Sequence, residues 1–294
     1  MAFNAGSSFG HPDTWHTIEL ISAQMATGDR RPALFYARGT EYRAAECWAE
    51  AEADLRECLR QDPGFFPAAR DLGPVLLSSG RPEEAVAAAQ EAVRLAAGRP
   101  AASLAGAWAE LGRIEAARGA WAGVLAATDH AMKLVPRGEV DWYLLRERAF
   151  RAQGKLDDAI ADLARGEAAL HSTWLRSCWL DALLEAGRAT ETLDPIESAL
   201  GDTRHRAPWL IRRARARALL GERDAARADD EAALAEIEAR LVPEEPDPGL
   251  LVQKGLALAG LGRRDEAAAT LAAARAIGPD PSLLTPLERA LRTP

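Results

Sequence analysis

The chain has 294 residues, 48% of them hydrophobic and 6% aromatic, and its 44 acidic against 36 basic residues leave a formal net charge of −8. That balance argues against general affinity for phosphate backbones or anionic lipid surfaces, which the average field repels. Alanine, leucine, glutamate and arginine dominate and β-branched runs are nearly absent, which is the chemistry of helices and excludes a sheet protein.

Met1 to His11 is small, polar and Gly/Ser-rich, so it is expected to be disordered. It has neither the basic start nor the apolar run of a secretory leader, and nowhere are there 18 consecutive apolar residues. The chain is therefore expected to be a soluble cytoplasmic protein, or a periplasmic or secreted one if a leader has been removed. Pro12 and Asp13 then open a helix with Trp15, Ile18, Ile21 and Met25 at helical spacing. His11 and His16 flank its start. No Cys, Asp or Glu cluster completes a metal site there, so exposed histidines are expected.

From Pro32 the chain is periodic. One full copy of its unit is Val140 to Leu170: Tyr143, Ala149 and Phe150 share a face of a first helix, Gly154 ends it, and Ala159, Ile160 and Leu163 form the apolar stripe of a second. A pair this small cannot bury its own apolar face and needs stacked neighbours. Units start near Pro32, Phe66, Ala105, Val140, Thr173, Ala207 and Pro248, at intervals of 34, 39, 35, 33, 34 and 41 residues.

Within the units small residues recur where two helices must interlock. The first unit has Gly39, Tyr42, Ala51, Leu55 and Pro63; the second Leu72, Gly73, Gly80, Ala85 and Ala92; the third Trp108, Leu111, Gly112, Ala131 and Pro136. Ala214, Gly221, Ala226 and Ala233 serve in the sixth, and Gly255, Gly262, Ala267, Leu271, Ala274 and Pro279 in the seventh. This pattern and period resemble the tetratricopeptide repeat family. The resemblance implies an all-α, right-handed solenoid of about seven helix-turn-helix repeats over residues 32–279, with a capping helix in residues 1–31 and another in 280–294. It also implies that the first helix of each pair (helix A) lines a concave wall and the second (helix B) lies outside.

Some residues depart from the pattern. Glu147 and Leu180 occupy normally small places, so tight contact is not expected there, and Pro74 and Pro195 fall within helices that each should bend or shorten. Ala97 to Ala102 and Leu241 to Pro248 read as extended loops, and Pro286 to Leu291 as the last helix. The unit from Thr173 to Gly201 combines several of these departures and is a candidate hinge.

No nucleotide, hydrolase or metalloprotease fingerprint is present, so neither catalysis nor a cofactor or metal is expected. Cys47, Cys58 and Cys178 form no CxxC pair and read as buried reduced thiols. Carboxylates on the B helices, among them Asp54, Asp157, Asp158, Asp162, Asp229 and Asp230, read as a solvated surface. The A helices place Tyr36, Arg43, Arg70, Arg113, Arg148, Arg151 and Arg215 toward the inner wall. A basic inner stripe on an acidic protein suits an acidic or extended peptide, because guanidinium binds carboxylate bidentately. The alternative is that Glu41, Glu110, Glu147 and Asp181 neutralise these arginines. The expected function is thus a scaffold that holds a protein or peptide partner in its concave groove, with no nucleic acid and no membrane insertion. A regulatory subunit or peptide-sensing regulator, and a self-assembling structural module, are the other readings; the oligomeric state stays open. The carboxylate clamp of chaperone-binding relatives needs asparagine within the repeats, and the only asparagine here is Asn4.

Overall fold

A computed structural model describes residues 12–242 and 244–292. The expected disorder of Met1 to His11 and the Pro243 position of the expected loop lie outside them. The described residues hold sixteen α-helices: α1 (Pro12–Ala26), α2 (Pro32–Ala44), α3 (Trp48–Gln61), α4 (Phe66–Ser78), α5 (Pro82–Ala96), α6 (Ala101–Ala117), α7 (Trp121–Leu134), α8 (Val140–Ala152), α9 (Leu156–Leu170), α10 (Thr173–Glu185), α11 (Leu193–Asp202), α12 (Ala207–Leu219), α13 (Arg223–Glu238), α14 (Pro248–Gly260), α15 (Arg264–Ala276) and α16 (Pro281–Arg292). A 3-10 turn, Ala189–Thr192, precedes α11.

The pairing follows from one local signal. In every pair the turn between the two helices contains a residue in the left-handed region: Gly80, Gly119, Gly154, Gly187, Gly221 and Gly262 at φ between 70° and 84°, and Glu46 at 56°. Glycine has no Cβ to clash in this conformation, so it stops the first helix and lets the second fold back. These seven residues are separated by the same intervals as the unit starts.

The chain forms two compact units, one ending at Leu175 and the other beginning at Arg176, within α10. In the first, α1 packs on α2, each A helix packs on its own B helix, and α2, α4, α6 and α8 touch in succession. Among the described residues of this unit the backbones of no two B helices come close, although Arg56 of α3 reaches Glu84 of α5 at 3.3 Å. The A helices therefore form the tighter layer, a continuous wall, and the B helices fan out behind it. In the second unit α12, α14 and α16 form the same kind of succession, with α13 and α15 behind.

The close approaches expected at small residues are present. A Cβ added at Gly39 would lie 3.2 Å from Asp54 Cβ and 3.3 Å from Leu55 Cγ, and one at Gly112 would lie 3.4 Å from Thr128 Cγ2 and 3.6 Å from Ala127 Cβ. Around these contacts Leu55, Leu76 and Ile114 are fully buried, each burial being worth about 1.5–3 kcal/mol against exposure.

Several expectations need correction. Helix α6 starts at Ala101, four residues ahead of the expected Ala105, and takes up the last two residues of the anticipated loop. Pro74 does not shorten its helix: α4 runs through it. Pro195 lies in the first turn of α11, where a missing N–H costs little, and that helix is short. The last helix starts at Pro281, so Pro286 is inside it, and Leu284 and Leu287 bury its apolar face. The B-helix carboxylates Asp54, Asp162, Asp229 and Asp230 are not a solvated surface: each is at most 5% exposed.

Candidate functional site

Those buried carboxylates share a pattern. Arg38 donates to Asp54 at 2.7 and 2.8 Å, Arg146 to Asp162 at 2.9 and 3.3 Å, and Arg213 to Asp229 at 2.9 and 2.6 Å. Each arginine is the seventh residue of its A helix, and each aspartate follows it by sixteen residues on the B helix behind. The same guanidinium also reaches the preceding element: Arg38 reaches Ser22 of α1 at 3.1 Å, Arg146 reaches Thr128 (3.2 Å) and Asp129 of α7, and Arg213 reaches Glu197 of α11 at 2.6 Å. Burial alone would lower the Arg146 pKa, but Asp162 and Asp129 outweigh it and the pKa is raised. These arginines bind three helices together and hold the wall in shape.

An open cavity of about 340 Å³ lies in the wall where α4, α6 and the start of α8 meet. Phe66, Ala109 and Trp142 are nearly buried at its floor; Ala102, Ser103 and Gly106 line its side; Arg70, Glu110, Arg113 and Glu139 form its rim. Arg99 stacks over the Phe66 ring at 4.8 Å. Gly106 is the informative residue. It is in the middle of a helix, where glycine costs about 1 kcal/mol relative to alanine. Gly39, Gly73, Gly112, Gly166 and Gly255 are explained by close neighbours, yet a Cβ at Gly106 would meet nothing within 4 Å. No contact within the chain accounts for the missing side chain.

Only part of the expected inner stripe comes together. Arg70 and Arg113 share the cavity rim, but each has a carboxylate: Arg70 Nε donates to Asp71 at 2.8 Å, and Arg113 donates to Glu110 at 2.9 Å and lies 3.8 Å from Asp141. The Tyr36 hydroxyl donates to the other oxygen of Asp71 at 3.1 Å, and burial followed by the Asp71 charge raises its pKa. Arg151 pairs with Glu147. Arg43, Arg148 and Arg215 are exposed and have no ion pair among the described residues. Arg215 is in the second unit. The rim is balanced in charge, two arginines against two glutamates, rather than basic.

Phe66, Gly106, Glu139 and Trp142 were not expected at a site. The sequence held one sign of it: Gly106 interrupts an alanine-rich helical run outside the repeat's small places. Elsewhere, burial pushes the Cys58 thiol up to about 11, so it stays protonated at neutral pH. Among the described residues there is no cluster of three or more metal-ligating side chains, and no helix is long and apolar enough to cross a membrane.

No family model and no curated protein sequence matches the chain. Solved structures do. A tetratricopeptide repeat protein from Parabacteroides merdae superposes with a TM-score of 0.58 at 15% identity, covering 89% of this chain and 99% of that one. YrrB, described as a tetratricopeptide protein with an unusual peptide-binding site, gives 0.48 at 14% identity over 62% of this chain and 91% of its own. The helix pairs, their glycine turns at a near-constant interval and a structural counterpart matched over almost its whole length together show that this chain has the fold of the tetratricopeptide repeat proteins.

Proposed function

We propose that the chain is a non-catalytic protein-interaction scaffold, and that the wall formed by α4, α6 and α8 receives an extended segment or a helix of a protein partner. The observation that carries this reading is Gly106. A helical glycine with open space above it, at the side of a cavity floored by Phe66, Ala109 and Trp142, leaves room for a partner's backbone to come close. Because Arg70 and Arg113 are already matched by carboxylates, the partner is selected by shape and apolar fit more than by acidity. The Arg38, Arg146 and Arg213 pairs keep the surfaces they support preorganised, which lowers the cost of binding.

The test uses Gly106→Trp as a plug. Its Cβ meets nothing within 4 Å, and its indole takes up space at the side of the cavity that a partner would use. Wild-type and Gly106→Trp baits should recover the same proteins from source-cell extract except for the groove partner, which only the wild type retains. Identical recovery contradicts the proposal.

A further inference from the structure

Eight polar or charged side chains are buried among the described residues, and seven have partners. Asp54, Asp162 and Asp229 bind the arginines above; Arg146 is their counterpart; Asp71 binds Tyr36 and Arg70; Thr128 and Thr192 donate to backbone carbonyls. The eighth is Asp230. It is 5% exposed on α13, and no hydrogen bond or ion pair reaches it among the described residues. Its carboxylate is pressed against α14 so closely that a Cβ at Gly260 would lie 2.1 Å from Oδ2.

The surroundings are short of donors. Among the described residues two other side-chain oxygens are buried without a hydrogen bond: Gln253 Oε1 on α14, and Glu236 Oε1 on α13, which lies 3.7 Å from Arg240. Most cations on the neighbouring elements are committed elsewhere, and Arg223, at the start of α13, is exposed. From α12, Arg213 and Arg217 both bind Asp229, and Arg212 binds Asp181. From α14 the only charged residue is Lys254, which pairs with Glu238 at 3.0 Å. On α13 itself Arg227 pairs with Glu231, and just beyond α14 Arg263 pairs with Glu266.

We infer that α13 and α14 pack together with Asp230 protonated, so that the attachment of α14 to the α12–α13 pair is linked to pH. A carboxylic acid in this contact has no charge to solvate, whereas a carboxylate there would be an unpaired, nearly buried charge beside a second one, Asp229. The same two causes, burial first and then Asp229, push the Asp230 pKa up to about 7. When α14 lifts away, the group returns to its ordinary value near 3.8. A folded pKa raised above the unfolded one stabilises fully below the lower value and loses its effect as pH rises to the upper one. The contact should therefore be tightest near pH 4 and loosest above pH 7.

Hydrogen exchange on the full chain between pH 4.5 and 8, corrected for the intrinsic pH dependence of exchange, reads the opening of α14. In the wild type the opening constant should rise about tenfold per pH unit and level off above pH 7. Asp230→Asn, an uncharged isostere of the acid, should show an opening constant independent of pH through this window. A carbon-13 titration of the wild-type Asp230 carboxyl gives a second measurement that does not depend on the variant folding, with an expected midpoint near 7. A midpoint near 4, or the same pH dependence in wild type and Asp230→Asn, overturns the inference.

Discussion

Arg146 and Asp162 form a bidentate ion pair that is more than nine-tenths buried, between the seventh residue of α8 and the helix behind it. In the second and third repeats the same two places hold Leu72 with Ala88 and Leu111 with Ala127, an apolar version of one contact. Ion pair and apolar pair are alternative solutions to the same packing problem, and the seventh repeat, with Lys254 and Thr270 at these places, uses neither.

The first prediction follows directly. Asp162→Ala leaves the Arg146 guanidinium buried with two of its four hydrogen bonds gone and should cost about 3–5 kcal/mol. Adding Arg146→Leu recreates the arrangement of the second and third repeats and should recover most of that loss. Urea melts of the single and double variants decide it. A double variant no better than Asp162→Ala would mean that the pair contributes more than the matching of a buried charge.

A second prediction concerns the turns. Glu46 takes the left-handed conformation at a place where the other six repeats have glycine. Glu46→Gly should raise stability by about 1 kcal/mol, and Gly80→Ala should lower it by a similar amount, as seen in thermal melts. Equal melting temperatures for wild type and Glu46→Gly would show that local contacts of the glutamate offset its backbone strain.

The third contrasts two glycine-to-alanine changes. A Cβ at Gly166 would lie 2.7–2.9 Å from ring atoms of Tyr143, whose ring is buried and whose hydroxyl donates to the Arg137 carbonyl at 3.2 Å. The ring has nowhere to move, so Gly166→Ala should cost about 1–3 kcal/mol. Gly106→Ala meets nothing and should gain about 1 kcal/mol from helix propensity. Chemical denaturation of both should give opposite signs.

What the sequence revealed depended on the range of the interaction. Helix pairs, turns and close approaches were legible because they rest on local signals: a glycine such as Gly154 at a fixed distance from the unit start, and small residues such as Gly112 opposite Ala127. Asp54, Asp162 and Asp229 were misread as surface because a helical pattern shows only which residues share a face, while their burial depends on an arginine sixteen residues earlier across a turn. That recurrence could have been found by aligning the repeats. The inner arginines were placed by register alone, but their state depends on neighbours such as Asp71 for Arg70 and Glu147 for Arg151. The cavity was hidden because Phe66, Gly106 and Trp142 come from three different repeats and meet only once α4, α6 and α8 are side by side.

The most direct measurement of the central claim is the dissociation constant of the recovered partner for wild type, Gly106→Ala and Gly106→Trp, each with its melting temperature. The account predicts that the alanine variant binds more weakly than wild type and the tryptophan variant at least tenfold more weakly, a loss of about 1.4 kcal/mol or more, with no fall in melting temperature. Wild-type affinity in a fully folded Gly106→Trp protein would contradict it, because the partner would then be held somewhere other than the α4–α6–α8 wall.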